Sequence, residues 1–232
     1  MYQRDYVVRM IEQFGVFLRR AAGQEDPEHS LRTVQEAGEL LFGFSGPFLH
    51  SLTDDSLLAL LRVGGEFDVE RALMLADLSA LEADVLEELG RREAAGERRR
   101  RALVLALAVS AAATDDAAAE IDERIRAFWS QAGPLATQQW AGLFRHFVSV
   151  PDFAQAEHAV FELLKVGDPT GTDRAFREEA ACWLAGLLER SDEELAAAGI
   201  PRARVEDSLG QLRRSDERAG HRMGEPGEGE AC

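Results

Sequence analysis

The chain has 232 residues, with 42 acidic against 26 basic side chains and a formal net charge of −16 at pH 7. That length can bury a full core, and the charge weighs against nucleic acid or an anionic membrane as the main partner. Two cysteines, Cys182 and Cys232, are too few for a disulfide framework.

Residues 2–22 read as an amphipathic helix. Val7, Met10, Ile11, Phe14, Phe17 and Leu18 form its stripe, Arg4, Arg9, Arg19 and Arg20 bias its polar face, and Gly23 ends it. The expectation is a helix docked on the rest of the chain, with a homodimer seam or a membrane-surface helix as sharper alternatives. Charges at Arg4, Asp5, Arg9 and Glu12 argue against a signal peptide. The longest apolar run, 102–113, is too short to span a bilayer, so the cytoplasm is expected.

Glu25-Asp26-Pro27 starts the next helix, patterned by Leu31, Val34, Leu41 and Phe42. Residues 43–52 read as a loop, with Phe44, Phe48 and Leu49 plugged into the core. Thr53 or Ser51 caps a short helix over 54–63. Gly64-Gly65 turns the chain into another helix, so 53–78 reads as a helix–turn–helix. After a basic run at Arg98–Arg101, expected to be a solvated face, Thr114–Asp116 caps a helix with Ile121, Ile125, Phe128 and Trp129 on its apolar side. Later helices carry Phe176, Ala180, Trp183 and Leu184, then a capping box at Ser191-x-x-Glu194, then Val205, Leu209 and Leu212. Cys182 is expected in the core beside Trp183. From Ser215 the composition predicts a disordered tail, 215–232.

Two stretches between these helices share a spacing. In 137–169, Trp140, Leu143, Phe144 and Phe147 fall on one helix face, Val150-Pro151 breaks it, and Asp152 caps a second helix with Phe153, Ala156 and Val160. Gly167, Asp168 and Pro169 stop that helix. In 83–114, Leu86, Leu89 and Gly90 precede Ala102, Ala106 and Val109. Gly90 to Ala102 and Phe144 to Ala156 are both twelve residues. The pattern resembles the tetratricopeptide (TPR) repeat, Trp-x2-Leu-Gly-x2-Tyr then Ala-x3-Phe then Pro. Trp140, Leu143, Phe147, Phe153, Ala156, Leu89, Gly90 and Ala102 are then the repeat core. Phe144 stands where the repeat has Gly. The expected fold is all-α, an irregular TPR-like antiparallel helical array over 24–214, with a plain helical bundle as the alternative. A large core aromatic at Trp140 predicts a loss of about 3–5 kcal/mol on truncation to Ala. A second resemblance lies in residues 2–12 (Tyr2-Gln3-Arg4-Asp5-Tyr6-Val7 and on) and in Gly64-Gly65-Glu66-Phe67-Asp68-Val69-Glu70-Arg71-Ala72. They are similar to an uncharacterised bacterial family of small helical proteins.

No sequence motif carries a chemistry. His29, His50, His146, His158 and His221 form no metal-ligand spacing, and two histidines on neighbouring helices, His146 and His158, lack a third ligand. Gly64-Gly65 lacks the Gly-Lys-Ser/Thr of a phosphate loop. No catalytic residue, cofactor or metal is therefore expected. Stacked helix pairs expose a groove lined by the first helix of each pair, and such grooves hold peptides or helices of other proteins. Gln138, Gln139, Gly142, Arg145 and His146 are the groove candidates, and the function expected is a non-enzymatic scaffold or adaptor for a protein or peptide partner. The alternatives are an enzyme with an unfamiliar helical site, or a membrane-surface or nucleic-acid-associated regulator.

Overall fold

The computed structural model describes residues 26–113, 117–166 and 172–222, with side chains omitted at 172–173 and 215–222. The stripe over 2–22, the cap at Thr114–Asp116, the stop at Gly167–Pro169 and Cys232 lie outside the described residues. The fold is all-α, with eleven helices and one short strand pair among the described residues. It divides into two compact units, residues 1–135 and 136–232.

In the first unit the helices are α1 (Pro27–Phe42), α2 (Gly46–Ser51), α3 (Asp54–Leu60), α4 (Val69–Glu88), α5 (Arg92–Ala112) and α6 (Ala118–Gln131). The Asp26 carboxylate accepts from the Glu28 N–H at 3.1 Å, Pro27 opens α1, and Gly43 closes it at φ 75°. Thr53 and Asp68 cap α3 and α4 in the same way. The long antiparallel pair α4 and α5 forms the centre, with α1 on α4 and α6 on α5. Its seam is alanine-rich: Ala72, Ala76, Ala83, Ala95, Ala102 and Ala106 are fully buried. Small side chains let two backbones approach closely, so the packing is tight without aromatics.

Three expectations fail in this unit. The helix expected over 54–63 ends at Leu60, and strands flank the expected turn. Arg62–Val63 (β1) and Glu66–Phe67 (β2) pair antiparallel across Gly64 and Gly65, both at positive φ. A Gly-Gly dipeptide supplies the left-handed pair that a tight hairpin demands. Residues 43–52 are not a loop, because α2 occupies most of them. Of the three residues expected to plug it, only Leu49 is buried. Phe44 is half-buried and Phe48 is exposed.

The second unit contains α7 (Thr137–Ser149), α8 (Phe153–Val166), α9 (Thr172–Leu188), α10 (Asp192–Ala197) and α11 (Arg202–Arg222). Pro151 and the Asp152 cap separate α7 from α8, with the Gln155 N–H on the Asp152 carboxylate at 3.3 Å. The predicted capping box is present at Ser191 and Glu194. The core is aromatic. Phe144 meets Phe176 edge-to-face at 5.2 Å and Trp183 at 5.3 Å, and Trp183 meets Phe153 at 6.2 Å. Cys182 is exposed, against expectation. The buried stripe of α9 runs Phe176, Ala180, Leu184, Leu187, and a residue two past Ala180 turns to the opposite side. The tail expected from Ser215 is helical through Arg222.

Gly90 and Phe144 are not equivalent. Phe144 sits in the middle of α7 and is buried, whereas Gly90 lies past the end of α4, exposed, at φ 73°. A Cβ there would meet nothing within 4 Å. Gly90 therefore ends a helix and does not let two helices approach.

Candidate functional site

The polar centre of the first unit is Glu82. Residues Ala72, Leu75, Ser79, Glu82 and Leu86 share the buried face of α4, so helical spacing carries this carboxylate into the core. Three helices supply its partners. His50 Nε2 of α2 lies 3.0 Å from Oε2, Arg98 Nε of α5 donates to the same oxygen at 3.1 Å, and Gln35 Nε2 of α1 donates to Oε1 at 3.4 Å. The Glu82 and Arg98 side chains are 9% and 11% exposed, so the pair is desolvated, while His50 at 24% still touches solvent. Burial pushes the Glu82 carboxyl up. The bond and charge of His50, the charge of Arg98 and the Gln35 bond outweigh it, and the group lies below its ordinary range.

Arg101, one turn from Arg98, anchors the neighbouring corner. Its guanidinium donates to the carbonyls of Leu49 at 2.6 Å, Leu52 at 3.0 Å and His50 at 3.5 Å. These are carbonyls at the end of α2, where Leu49 also accepts from the Leu52 N–H at 3.4 Å, and a helix end favours a cation. Burial lowers the Arg101 pKa and Arg98 lowers it further, with Asp54, Glu82 and Glu97 opposing. Between Glu82, His50, Gln35, Arg101 and the apolar Val34, Leu57 and Leu75 lies a cavity of about 30 Å³. That is room on the scale of one water molecule.

The basic run is thus spent inside the first unit. Arg98 and Arg101 are accounted for above, and Arg99 reaches Glu87 at 3.0 Å and Asp84 at 3.4 Å with a side chain 17% exposed. The solvated face expected for this run is corrected: three of the four guanidinia of Arg98–Arg101 meet carboxylates and carbonyls of the same unit.

The second unit holds its own buried carboxylate. Glu157 on α8 accepts from the Ser208 hydroxyl and pairs with Arg204, both of α11. Arg202 donates to the Leu188 carbonyl at 2.8 Å and to the Arg190 carbonyl, holding the end of α9 as Arg101 holds the end of α2.

Of the proposed groove residues, Gln138 and Arg145 are exposed and Gly142 is half-exposed, but Gln139 and His146 are buried. The Gln139 amide oxygen accepts from the Ala136 N–H at 2.7 Å, capping its own helix. Arg145 is committed to Glu179 of α9 at 2.7–3.2 Å, a bidentate pair that raises its pKa. His146 and His158 do not share a solvent face: His146 is buried, and His158 lies exposed against Trp140 at 5.9 Å. Among the repeat-core residues, Leu143, Phe147, Phe153, Ala156 and Ala102 are buried, Trp140 and Leu89 are half-buried, and Gly90 is exposed. Spacing did not reveal Glu82 and His50, because they are 32 positions apart. The readable signal was Glu82 itself, an acid on an apolar stripe.

Among the described residues no three metal-ligating side chains cluster, and no helix is long and apolar enough to cross a membrane. Large apolar side chains do reach the surface where α1 meets α2. Leu40 in the last turn of α1 is 68% exposed and Phe48 in α2 is 44% exposed, with the Phe44 ring 5.2 Å from that of Phe48. No curated protein and no solved structure matches the chain. A family model matches residues 1–217, and the chain belongs to that family, DUF6483, a family of unknown function.

Proposed function

We propose that this member of a family without an assigned activity is a non-enzymatic helical scaffold. It binds a protein partner through the corner where α1 meets α2. The observation that carries the reading is the Phe44–Phe48 ring pair at the surface of α2, with Leu40 exposed in the last turn of α1 and α2 held by Arg101 and, through His50, by Glu82. Single exposed apolar side chains are ordinary, whereas several together at a fixed site favour association. The acids around the corner, Glu36 and Glu39 on α1 and Asp55 on α3, are exposed. A fitting partner presents an apolar helix face flanked by basic residues.

The buried polar cluster supports a structural role over a catalytic one. The Glu82 carboxylate is bonded by three protein groups, and the adjoining cavity is of water size. A substrate pocket is typically about 300–1,000 Å³.

The test places a photo-reactive phenylalanine analogue at position 48, and separately at Arg145, in the cell that makes the protein. The expected result is one discrete protein adduct from position 48, none from 145, and loss of the adduct when Leu40→Glu is added. Equal labelling from both positions, or labelling that ignores Leu40→Glu, removes the corner as a partner site.

A further inference from the structure

Helix α2 has six residues, and of these only Leu49 is buried. Isolated helices shorter than about 12 residues are marginal in water, and the Ser45 side chain makes no cap bond at the start of this one. Its polar attachments lie at the other end. The Arg101 guanidinium holds the carbonyls of Leu49, His50 and Leu52, and the His50 ring meets Glu82. We propose that α2 is a latch with Arg101 as its pin, closing the cavity between α1, α3 and α4 and lifting while the rest of the first unit stays folded. The inference is independent of the partner reading of Phe44 and Phe48, because it concerns only what holds α2 down.

The packing under α2 is incomplete. Gly46, Leu49 and His50 form one wall of the cavity of about 30 Å³, and Gly38, Leu57 and Leu78 stand among the others. Side chains that face a void lose their contacts on that side, so α2 is gripped less firmly than a filled seam would grip it. Neither connection continues a helix. Gly43 sits at φ 75° before α2, and Leu52 is extended after it. Changes of backbone angle at two such points move a short element as a rigid piece.

The groups left behind stay paired. When His50 departs, Glu82 keeps Arg98 at 3.1 Å and Gln35 at 3.4 Å. Arg101 keeps the charges of Asp54, Glu82 and Glu97 nearby, and the lifted helix lets water replace the three carbonyls. An opening that stranded a buried charge would be strongly opposed, and this one strands none. The apolar surface uncovered is Leu49 and the cavity wall it faces, far less than unfolding of the unit exposes.

The experiment is native-state thiol labelling of the full chain with Cys182→Ser and Cys232→Ser. One protein carries Ser79→Cys, where the native side chain is buried and lines the cavity. The other carries Val109→Cys, fully buried on α5 and roughly 12 Å along that helix from Arg101, at about 1.5 Å per residue. Iodoacetamide is used where reclosing outruns alkylation, so the rate follows the population of the opened state. Its urea dependence then reports how much surface the opening exposes. A latch predicts labelling at position 79 at least about tenfold faster than at 109 and nearly independent of urea, with 109 steeply dependent on it. Equal rates with equal urea dependence mean that position 79 opens only when the unit unfolds, and overturn the proposal. Two further changes sharpen the reading. Leu103 is fully buried on α5 and does not line the cavity. Leu103→Ala should therefore speed labelling at 109 and leave 79 unchanged, and equal acceleration of both overturns the latch. Arg101→Gln removes the pin and should speed labelling at 79 by at least about tenfold, the worth of one charge-assisted bond. Unchanged labelling at 79 in that variant overturns the role of Arg101. If Arg101→Gln fails to fold, the urea comparison between the two reporters still decides.

Discussion

Glu82 and Glu157 are both carboxylates carried into a core on the apolar face of a helix, yet the two units treat them differently. Glu82 is bonded by residues from three other helices, one of them a histidine. Among the described residues Glu157 is bonded from one helix, by a serine hydroxyl and by Arg204, whose side chain is 52% exposed. The surroundings explain the contrast. The first unit joins an alanine seam to buried aliphatic side chains such as Leu57, Leu103 and Leu105, and polar groups also tie α1, α2, α4 and α5 together. The second unit has the Phe144–Phe176–Trp183–Phe153 cluster, and its carboxylate adds one link between α8 and α11. The lesson is that an acid on an apolar stripe can join several helices when the facing helices each supply a donor.

The largest expected effect breaks the second unit at its aromatic centre. Phe144 is 2% exposed and touches two other rings, so Phe144→Ala should destabilise by about 3–5 kcal/mol, read as a fall in Tm. The first unit should break at its joint. Glu82→Ala leaves Arg98 desolvated without its carboxylate and should cost about 3 kcal/mol. Glu157→Ala should cost less, about 1–2 kcal/mol, because Arg204 can turn to water. Equal losses at the two glutamates would show that the three-helix joint has no special role. Trp140→Ala should cost about 2 kcal/mol, below the value for a fully buried aromatic. Trp140 is half-buried and meets His158 edge-on at 5.9 Å.

The joint also has a pH signature. The Glu82 carboxyl sits below its ordinary value of 4.5 in the folded chain, where burial is outweighed by His50, Arg98 and Gln35. A depressed folded pKa gives stability that is present above about pH 4.5 and is lost as pH falls through the folded value. Denaturant titrations should therefore show the unmodified chain ahead of Glu82→Gln near neutral pH, with the gap closing in acid. A gap that stays constant into acid would mean that the carboxylate's charge is irrelevant to the joint.

Much of the helical framework was legible because its signals are local. Asp26-Pro27, Thr53, Asp152 and the Ser191/Glu194 box are caps made within a few residues, and each is seen in the structure. The turn at Gly64-Gly65 was equally legible, and helical expectation on either side hid the two short strands that flank it. The Glu82 joint was not legible as a site. Its partners come from positions 35, 50 and 98, which no spacing rule connects, and acids on helices are ordinarily solvated. The buried Gln139 and His146 were misplaced for a related reason. A helix with a wide apolar face buries polar residues at the edge of its stripe.

Gly90 gives the finest cut between the two helical pairs. If the shared twelve-residue spacing marked equivalent positions, Gly90 would be a contact glycine, and any side chain there would wedge α4 from α5. The structure gives it another task. It follows the end of α4 at φ 73°, its N–H donates to the Glu87 carbonyl at 2.9 Å, and open space surrounds the place of a Cβ. The cost of substitution is then conformational. Gly90→Ala should destabilise by about 1 kcal/mol, and Gly90→Asn by less, because asparagine tolerates the left-handed region at helix ends. A wedge predicts the reverse order, since asparagine is the larger. Measuring both variants by chemical denaturation decides between a turn and a packing contact, and with it whether the spacing ever marked a repeat.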